Sequence, residues 1–214
     1  MMKKNNNPIV SVIINCYNGS KYIEKALESA LSQSYKNLEI IVWDNQSTDN
    51  SASIVNSYTD KRIKYYYAPK HTKLYEARNL AIAKSIGNYI AFLDCDDWWE
   101  NSKIHKQVKK FQEDDYAIVY SNMRLVFDKE TRFGKRVNKL VCKILSRNYI
   151  SGRKLKTEGF ILDQILKKYF VGLPSIMINK KYFTGFDENY EIIGDMDFVL
   201  KTAAEFKLGY INEI

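Results

Sequence analysis

Asp94, Asp96 and Asp97 follow one another directly after the apolar run Tyr89–Leu93. If the extended conformation of that run continues, its period of two places Asp94 and Asp96 on one face. Carboxylates side by side repel, so a folded chain that keeps them together supplies a cation or a shared proton. An all-oxygen set of this kind suits Mg2+ or Mn2+, held by a few carboxylates and completed by substrate phosphates. The plain alternative is a strand that ends in a solvated acidic turn, and the local pattern leaves both open. A second acidic pair, Asp195 and Asp197, opens the helical segment carrying Met196, Val199, Leu200 and Ala203. A carboxylate there suits general-base work, although Asp at a helix start also serves as a cap or a partner of the helix dipole.

The elements that would position these groups alternate in type. Apolar runs at Ile9–Asn15, Leu38–Trp43, Ile63–Tyr67 and Tyr89–Leu93 read as strands. Between them lie helical segments. The first has Ser20 as N-cap and Ile23, Ala26, Leu27, Ala30 and Leu31 on one face. A short one turns Ile54, Val55 and Tyr58 inward. The third carries Leu74, Ala77 and Ala81, with Gly87 as its C-cap. Such alternation predicts a mostly parallel, Rossmann-like central sheet flanked by helices, with ligands beyond the carboxyl ends of the strands. Asn15–Asn18, Asp44–Ser47 and Asp94–Asp97 all fall at such ends. Farther on, Ile104, Val108 and Phe111 mark a helix, while Tyr116–Tyr120 and Pro174–Asn179 read as strands. Residues 182–190 are acidic and rich in turn signals. The chain stops inside the alternation Tyr210–Ile214, which suggests that the natural protein continues.

The chain has 214 residues, 45% hydrophobic and 27% charged, the size and make-up of one large soluble domain. Its 33 Lys and Arg against 25 Asp and Glu give a net charge of +8, which favours anionic partners. Residues 135–157 hold eight basic side chains and no acidic one. That run reads as a solvated loop, or as a contact for phosphate or an anionic membrane. Cys16, Cys95 and Cys142 are odd in number and lack metal-site spacing, so they read as reduced thiols. With no signal peptide and no membrane-length apolar run, the expected location is cytoplasmic, at most peripheral to the inner membrane face.

Taken together, the segments Val10–Asn18, Ile40–Ser51, Ala77–Asn79, Phe92–Asp97 and Gly194–Phe198 resemble the family 2 inverting glycosyltransferases of GT-A fold. The resemblance runs from Ile9 to about Phe206 and covers one catalytic domain, 1–214. Residues 8–97 would be its nucleotide-binding half and 98–214 its acceptor-binding half. It implies transfer of a sugar from a nucleotide diphosphate, by family habit a UDP-sugar, to a hydroxyl of a glycan or lipid-linked acceptor in bacterial surface-polysaccharide assembly. The donor would meet Asn15, Tyr17, Asp44, Asn45, Arg78, Asp94, Cys95 and Asp96. Among these, Asp44 would accept the uracil N–H, Tyr17 would stack on the base and Arg78 would meet the pyrophosphate. Asp96 and Asp94 would hold Mn2+ or Mg2+, and Asp195 would be the catalytic base, with Asp197 competing for that role. The pattern departs at Gly194, where many members carry Glu.

His105 reads as a surface residue, His71 as structural, and Trp98 and Trp99 as sugar-stacking or core. Two other readings fit parts of the chain. A nucleotidyltransferase would normally carry a longer, Gly- and Arg/Lys-rich loop than Tyr17–Ser20. A non-catalytic nucleic-acid or anion-binding domain would use the basic run, whereas the glycosyltransferase resemblance sets nucleic acid aside as a partner.

Overall fold

The computed structural model describes residues 7–124 and 157–212. Apart from Thr157, the basic run 135–157 lies outside the described residues, as do Cys142 and the last two positions.

Alternation of side chains across the strands divides the core into two faces. The strands are β1 (Val10–Cys16), β2 (Leu38–Asp44), β3 (Ile63–Tyr67), β4 (Tyr89–Phe92), β5 (Ile118–Ser121), β6 (Ile176–Asn179) and β7 (Leu208–Ile211). They form one sheet in the order β3-β2-β1-β4-β6-β5-β7. Val10, Val12 and Ile14 of β1 point to one side, where they meet α1 (Ile23–Leu31), α2 (Ser51–Asn56) and α4 (Lys103–Phe111). Ile13, Ile41, Ile90 and Phe92 point to the other, against α3 (Leu74–Ala83), α5 (Leu162–Lys167) and α6 (Gly194–Glu205). Each fully buried aliphatic side chain contributes about 1.5–3 kcal/mol by leaving water, so a sheet covered on both faces suits these near-continuous apolar runs.

The parallel order β3-β2-β1-β4 matches the alternation read from the sequence. β6 departs from it, since it runs antiparallel to both β4 and β5. Several local expectations are corrected. The strand expected over Pro174–Asn179 begins at Ile176, because Leu173–Ser175 form a 3-10 turn. The strand expected at Tyr116 begins at Ile118. Ser20 does not cap α1, whose N-cap is Tyr22; the Ser20 N–H is instead donated to Asp49. Leu74 is exposed rather than inward.

Gly87 does not close α3, which ends at Ala83. It lies where the chain crosses β1, and its N–H is donated to Ser11 Oγ at 2.9 Å. A Cβ at this position would stand 2.5 Å from Ser11 Oγ and 2.7 Å from the Ser11 backbone nitrogen. Gly87→Ala should therefore cost about 1–3 kcal/mol of stability, read as a lower urea midpoint at unchanged slope. An unshifted midpoint would show that β1 and β4 can separate at no cost.

Candidate active site

Register brings the three polar segments together. Cys16 pairs with Asp44 across β1 and β2, and Ile13 pairs with Phe92 across β1 and β4. The segments after Cys16, Asp44 and Leu93 therefore leave the sheet at one rim. The first two loops are tied by matched hydrogen bonds. Asn18 N–H is donated to Ser47 Oγ, Gly19 N–H to Ser51 Oγ and Ser20 N–H to Asp49 Oδ2, each at 2.9 Å. Thr48 N–H returns to Asn18 Oδ1 at 2.8 Å. Asn18 and Gln46 hold φ of 52° and 69°, the left-handed conformation that Asn tolerates best among residues with a side chain. This network marks Asp49, absent from the residues singled out by sequence, as the brace of the rim.

At the nucleotide end, Asp44 is fully buried. Its Oδ1 accepts the Ser47 N–H and its Oδ2 the Tyr65 hydroxyl, each at 2.7 Å. Both oxygens are thus engaged within the protein, the Oδ1 bond being the backbone-bonding turn that Asp commonly makes. Burial, and then the bond to Asp44, push the Tyr65 hydroxyl up. Asn45 is buried too, its amide exchanged with Thr72. What remains open here is the Tyr17 ring, 54% exposed and 4.5 Å from the His71 ring. His71 is itself bonded through Nδ1 to the Asn45 carbonyl at 2.8 Å. Asn15 holds a buried amide nitrogen that has no hydrogen-bond partner among the described residues. Cys16 and Cys95 are both free thiols; hydrogen bonding between them pulls the Cys16 thiol down and pushes Cys95 up.

Beyond the rim opens a cavity of 690 Å3, well within the range of small-molecule sites. Arg78, Asp94, Asp96 and Asp195 all line it, whereas Asn15, Tyr17, Asp44, Asn45 and Cys95 do not. Arg78 is only 6% exposed, so it is no surface helix residue. Its Nη2 meets Asp94 Oδ1 at 2.9 Å. Asp96 is exposed and makes no hydrogen bond or ion pair among the described residues. Burial, with the charges of Asp94 and Asp96 beside it, pushes the Asp97 carboxyl up to about 6. Burial is the larger cause, and the neighbouring carboxylates add to it; the oxygen-only set of Asp94 and Asp96 fits Mg2+ or Mn2+. Among the described residues, no three His, Cys, Asp or Glu converge to cage a metal unaided. Such an ion would need oxygens from a ligand, as Mg2+ commonly does.

The start of α6 brings Asp195 to the same cavity. Ile193 enters the helix at φ 66°, a conformation rare for a β-branched residue and found where a site imposes it. Gly194 then packs so tightly that a Cβ would lie 2.7 Å from the Tyr75 ring, which accounts for the departure from Glu. Tyr75 donates its hydroxyl to Asp195 Oδ1 at 3.0 Å, and burial and the Asp195 charge push that hydroxyl up. Asp197 is turned to Lys201 at 2.8 Å and does not line the cavity. Sequence reasoning did not single out Tyr75, since its partner Asp195 lies 120 residues away in the chain. Tyr75→Phe should lower turnover about tenfold, the worth of one hydrogen bond to a charged group, with donor affinity unchanged. Steady-state kinetics beside UDP titration would check this, and unaltered kcat would remove Tyr75 from the site.

Trp99 is core, its indole N–H donated to the Pro174 carbonyl, while Trp98 is 43% exposed at the cavity wall. His105 is exposed, as expected. Among the described residues no helix is long and apolar enough to cross a membrane.

A model described as glycosyl transferase family 2 matches residues 11–173. The chain belongs to this family. It is 31% identical over 176 residues to TuaG of Bacillus subtilis, named as a teichuronic acid biosynthesis glycosyltransferase, covering 81% of this chain and 63% of TuaG. It is 42% identical over 114 residues to WfaP of Escherichia coli, named as a UDP-Glc:α-D-GlcNAc-diphosphoundecaprenol β-1,3-glucosyltransferase, covering 53% of this chain and 45% of WfaP. This chain therefore spans roughly half to two-thirds of these relatives' own lengths. The structure of Staphylococcus aureus TarS in complex with UDP-GlcNAc superposes with a TM-score of 0.70 at 19% identity, covering 96% of this chain and 59% of that one. The fold is GT-A.

Proposed function

We propose that the protein transfers a sugar from a UDP-sugar to a hydroxyl of a glycan or lipid-linked acceptor, with inversion and with the help of Mg2+ or Mn2+. One observation carries this reading: Asp195 lines the same cavity as Arg78, Asp94 and Asp96. TarS has been solved with UDP-GlcNAc and WfaP is named for a UDP-glucose donor and a diphosphoundecaprenol acceptor, which supports the donor and acceptor classes. In this account Tyr17 stacks on the base and Asn15 offers its free amide nitrogen to the donor. Arg78, held by Asp94, places a fixed cation against the diphosphate. Asp96, with the free oxygen of Asp94, would hold the metal, whose chemistry is to offset charge on the departing diphosphate. Asp195, oriented by Tyr75, draws the proton from the acceptor hydroxyl as it attacks the anomeric carbon from the opposite face. Residues 98–214 would supply the acceptor half, and the charge of +8 suits peripheral contact with an anionic membrane that presents the acceptor.

Proton NMR of the product made from an α-linked UDP-sugar and a GlcNAc-terminated acceptor tests the stereochemistry. The large anomeric coupling of a β-linked gluco-configured product is expected. An α-linked product would contradict a single displacement assisted by Asp195.

A further inference from the structure

Cys16 closes β1, and Cys95 stands between Asp94 and Asp96, just past the end of β4. β1 and β4 run parallel, with Ile13 beside Phe92 and the Leu93 N–H donated to the Ile13 carbonyl at 3.0 Å. Carried three residues further, that register sets Cys95 beside Cys16. Neighbouring strands lie about 4.8 Å apart, inside the Cα separation of about 4.4–6.8 Å that a disulfide spans. The sulfurs themselves meet. Each stands 3.0 Å from the point that a Cβ on Gly19 would occupy, and the two thiols hydrogen-bond to each other. Gly19 is buried, and its lack of a side chain leaves the room in which both sulfurs sit. Buried free thiols commonly serve as small apolar fillers. Cys95, however, is only partly buried, so a small oxidant reaches one sulfur while the second waits beside it.

We propose that Cys16 and Cys95 are a redox-active dithiol, and that their disulfide disables the acidic segment 94–97. The oxidant is hydrogen peroxide. The Cys95 thiolate attacks one peroxide oxygen, giving a sulfenic acid, and the other oxygen leaves as water after taking up a proton. The Cys16 thiolate then attacks the sulfenic sulfur, the S–S bond forms and the second oxygen leaves as water. Each sulfur gives up one electron, and the peroxide is reduced to two waters. Closing the bond draws Cys95 toward β1, and its neighbours in the chain follow. Asp94 is bonded to the buried Arg78 at 2.9 Å, and Asp96 carries the metal in the reading above, so a shift of the residue between them disturbs both. The effect on the donor site rests on the sugar-transfer reading, whereas formation of the disulfide does not.

The test treats the full chain with hydrogen peroxide and follows it by non-reducing peptide mapping and by UDP titration in Mn2+. Mapping should recover the peptides of Cys16 and Cys95 joined to each other. UDP affinity should fall at least about tenfold and return to its starting value with dithiothreitol. Cys16→Ser, which keeps the size of the buried side chain, should bind UDP like the parent and show no reversible loss. Cys142→Ser should still form the link and lose affinity, which keeps the test decisive should Cys16→Ser fail to fold. Thiols of Cys16 and Cys95 that both remain open to alkylation after peroxide overturn the proposal, as does linkage of either to Cys142. So does a linked protein with unchanged UDP affinity, or a reversible loss that persists in Cys16→Ser. Failure of UDP to bind before any treatment contradicts the nucleotide-sugar reading instead, and the mapping still decides whether the two thiols are a redox pair.

Discussion

Asp96→Asn should lower metal-supported sugar transfer by about 10²–10³-fold, a loss of about 3–4 kcal/mol of transition-state stabilisation. Thermal unfolding should move by no more than about 2 °C. The separation of the two effects follows from placement. Asp96 is exposed and bonded to nothing among the described residues, so the fold does not depend on its charge. It also stands beside Asp97, whose pKa is raised first by burial and then by the charges of Asp94 and Asp96. Neutralising one member of that group relieves repulsion in the free protein and removes a ligand from the metal-loaded one. Asp94→Asn differs in kind, because it strips the partner from the buried Arg78 guanidinium and costs stability as well as turnover. Full activity in Asp96→Asn, measured across Mn2+ concentrations, would sink the metal assignment.

Asp195→Asn should reduce turnover by about 10²–10⁴-fold, the range ascribed to a positioned base, with nucleotide affinity retained. An amide oxygen can still accept the Tyr75 hydroxyl that Asp195 Oδ1 takes at 3.0 Å, so the helix start and the cavity wall keep their shape. What is lost is the capacity to take a proton. Asp197→Asn is the matched control. It loses only the pair with the largely exposed Lys201, worth about 0–1 kcal/mol, and turnover should stay within about twofold. Equal losses in the two variants would mean that both act through the structure of α6, and Asp195 would no longer be assigned as the base.

The elements legible in the sequence are those whose side chains obey one period throughout. β1, β2 and β4 read as unbroken apolar runs because both faces of the sheet are covered. Their ends are polar because the chain turns out there into the site. The direction of β6 was not legible, since Ile176–Asn179 looks the same whichever neighbours it joins. How Asp44 is held was not legible for a related reason. Its pairing with Tyr65 depends on the register of β2 against β3, which brings a hydroxyl to its second oxygen. Gly87 reads as a helix end by residue type, yet its small size serves the crossing over Ser11. Lys103 and Gln107 lie one turn apart beside the apolar stripe of Ile104, Val108 and Phe111, and nothing in their types announces burial. Arg78, Asp94, Asp96 and Asp195 were singled out by the order of their motifs, and the structure gathers all four around one cavity. Tyr75 and Asp49 were not, because each acts by holding another residue in place.

The central claim is a metal-assisted nucleotide-sugar site. It is tested most directly by calorimetric titration of the chain with UDP, GDP, CDP and dTDP, each with and without Mn2+, repeated on Asp96→Asn. The account predicts that UDP binds, that Mn2+ tightens it by at least about tenfold, and that Asp96→Asn removes the metal-dependent part alone. Binding of no nucleotide, or UDP binding indifferent to both Mn2+ and Asp96, would contradict it.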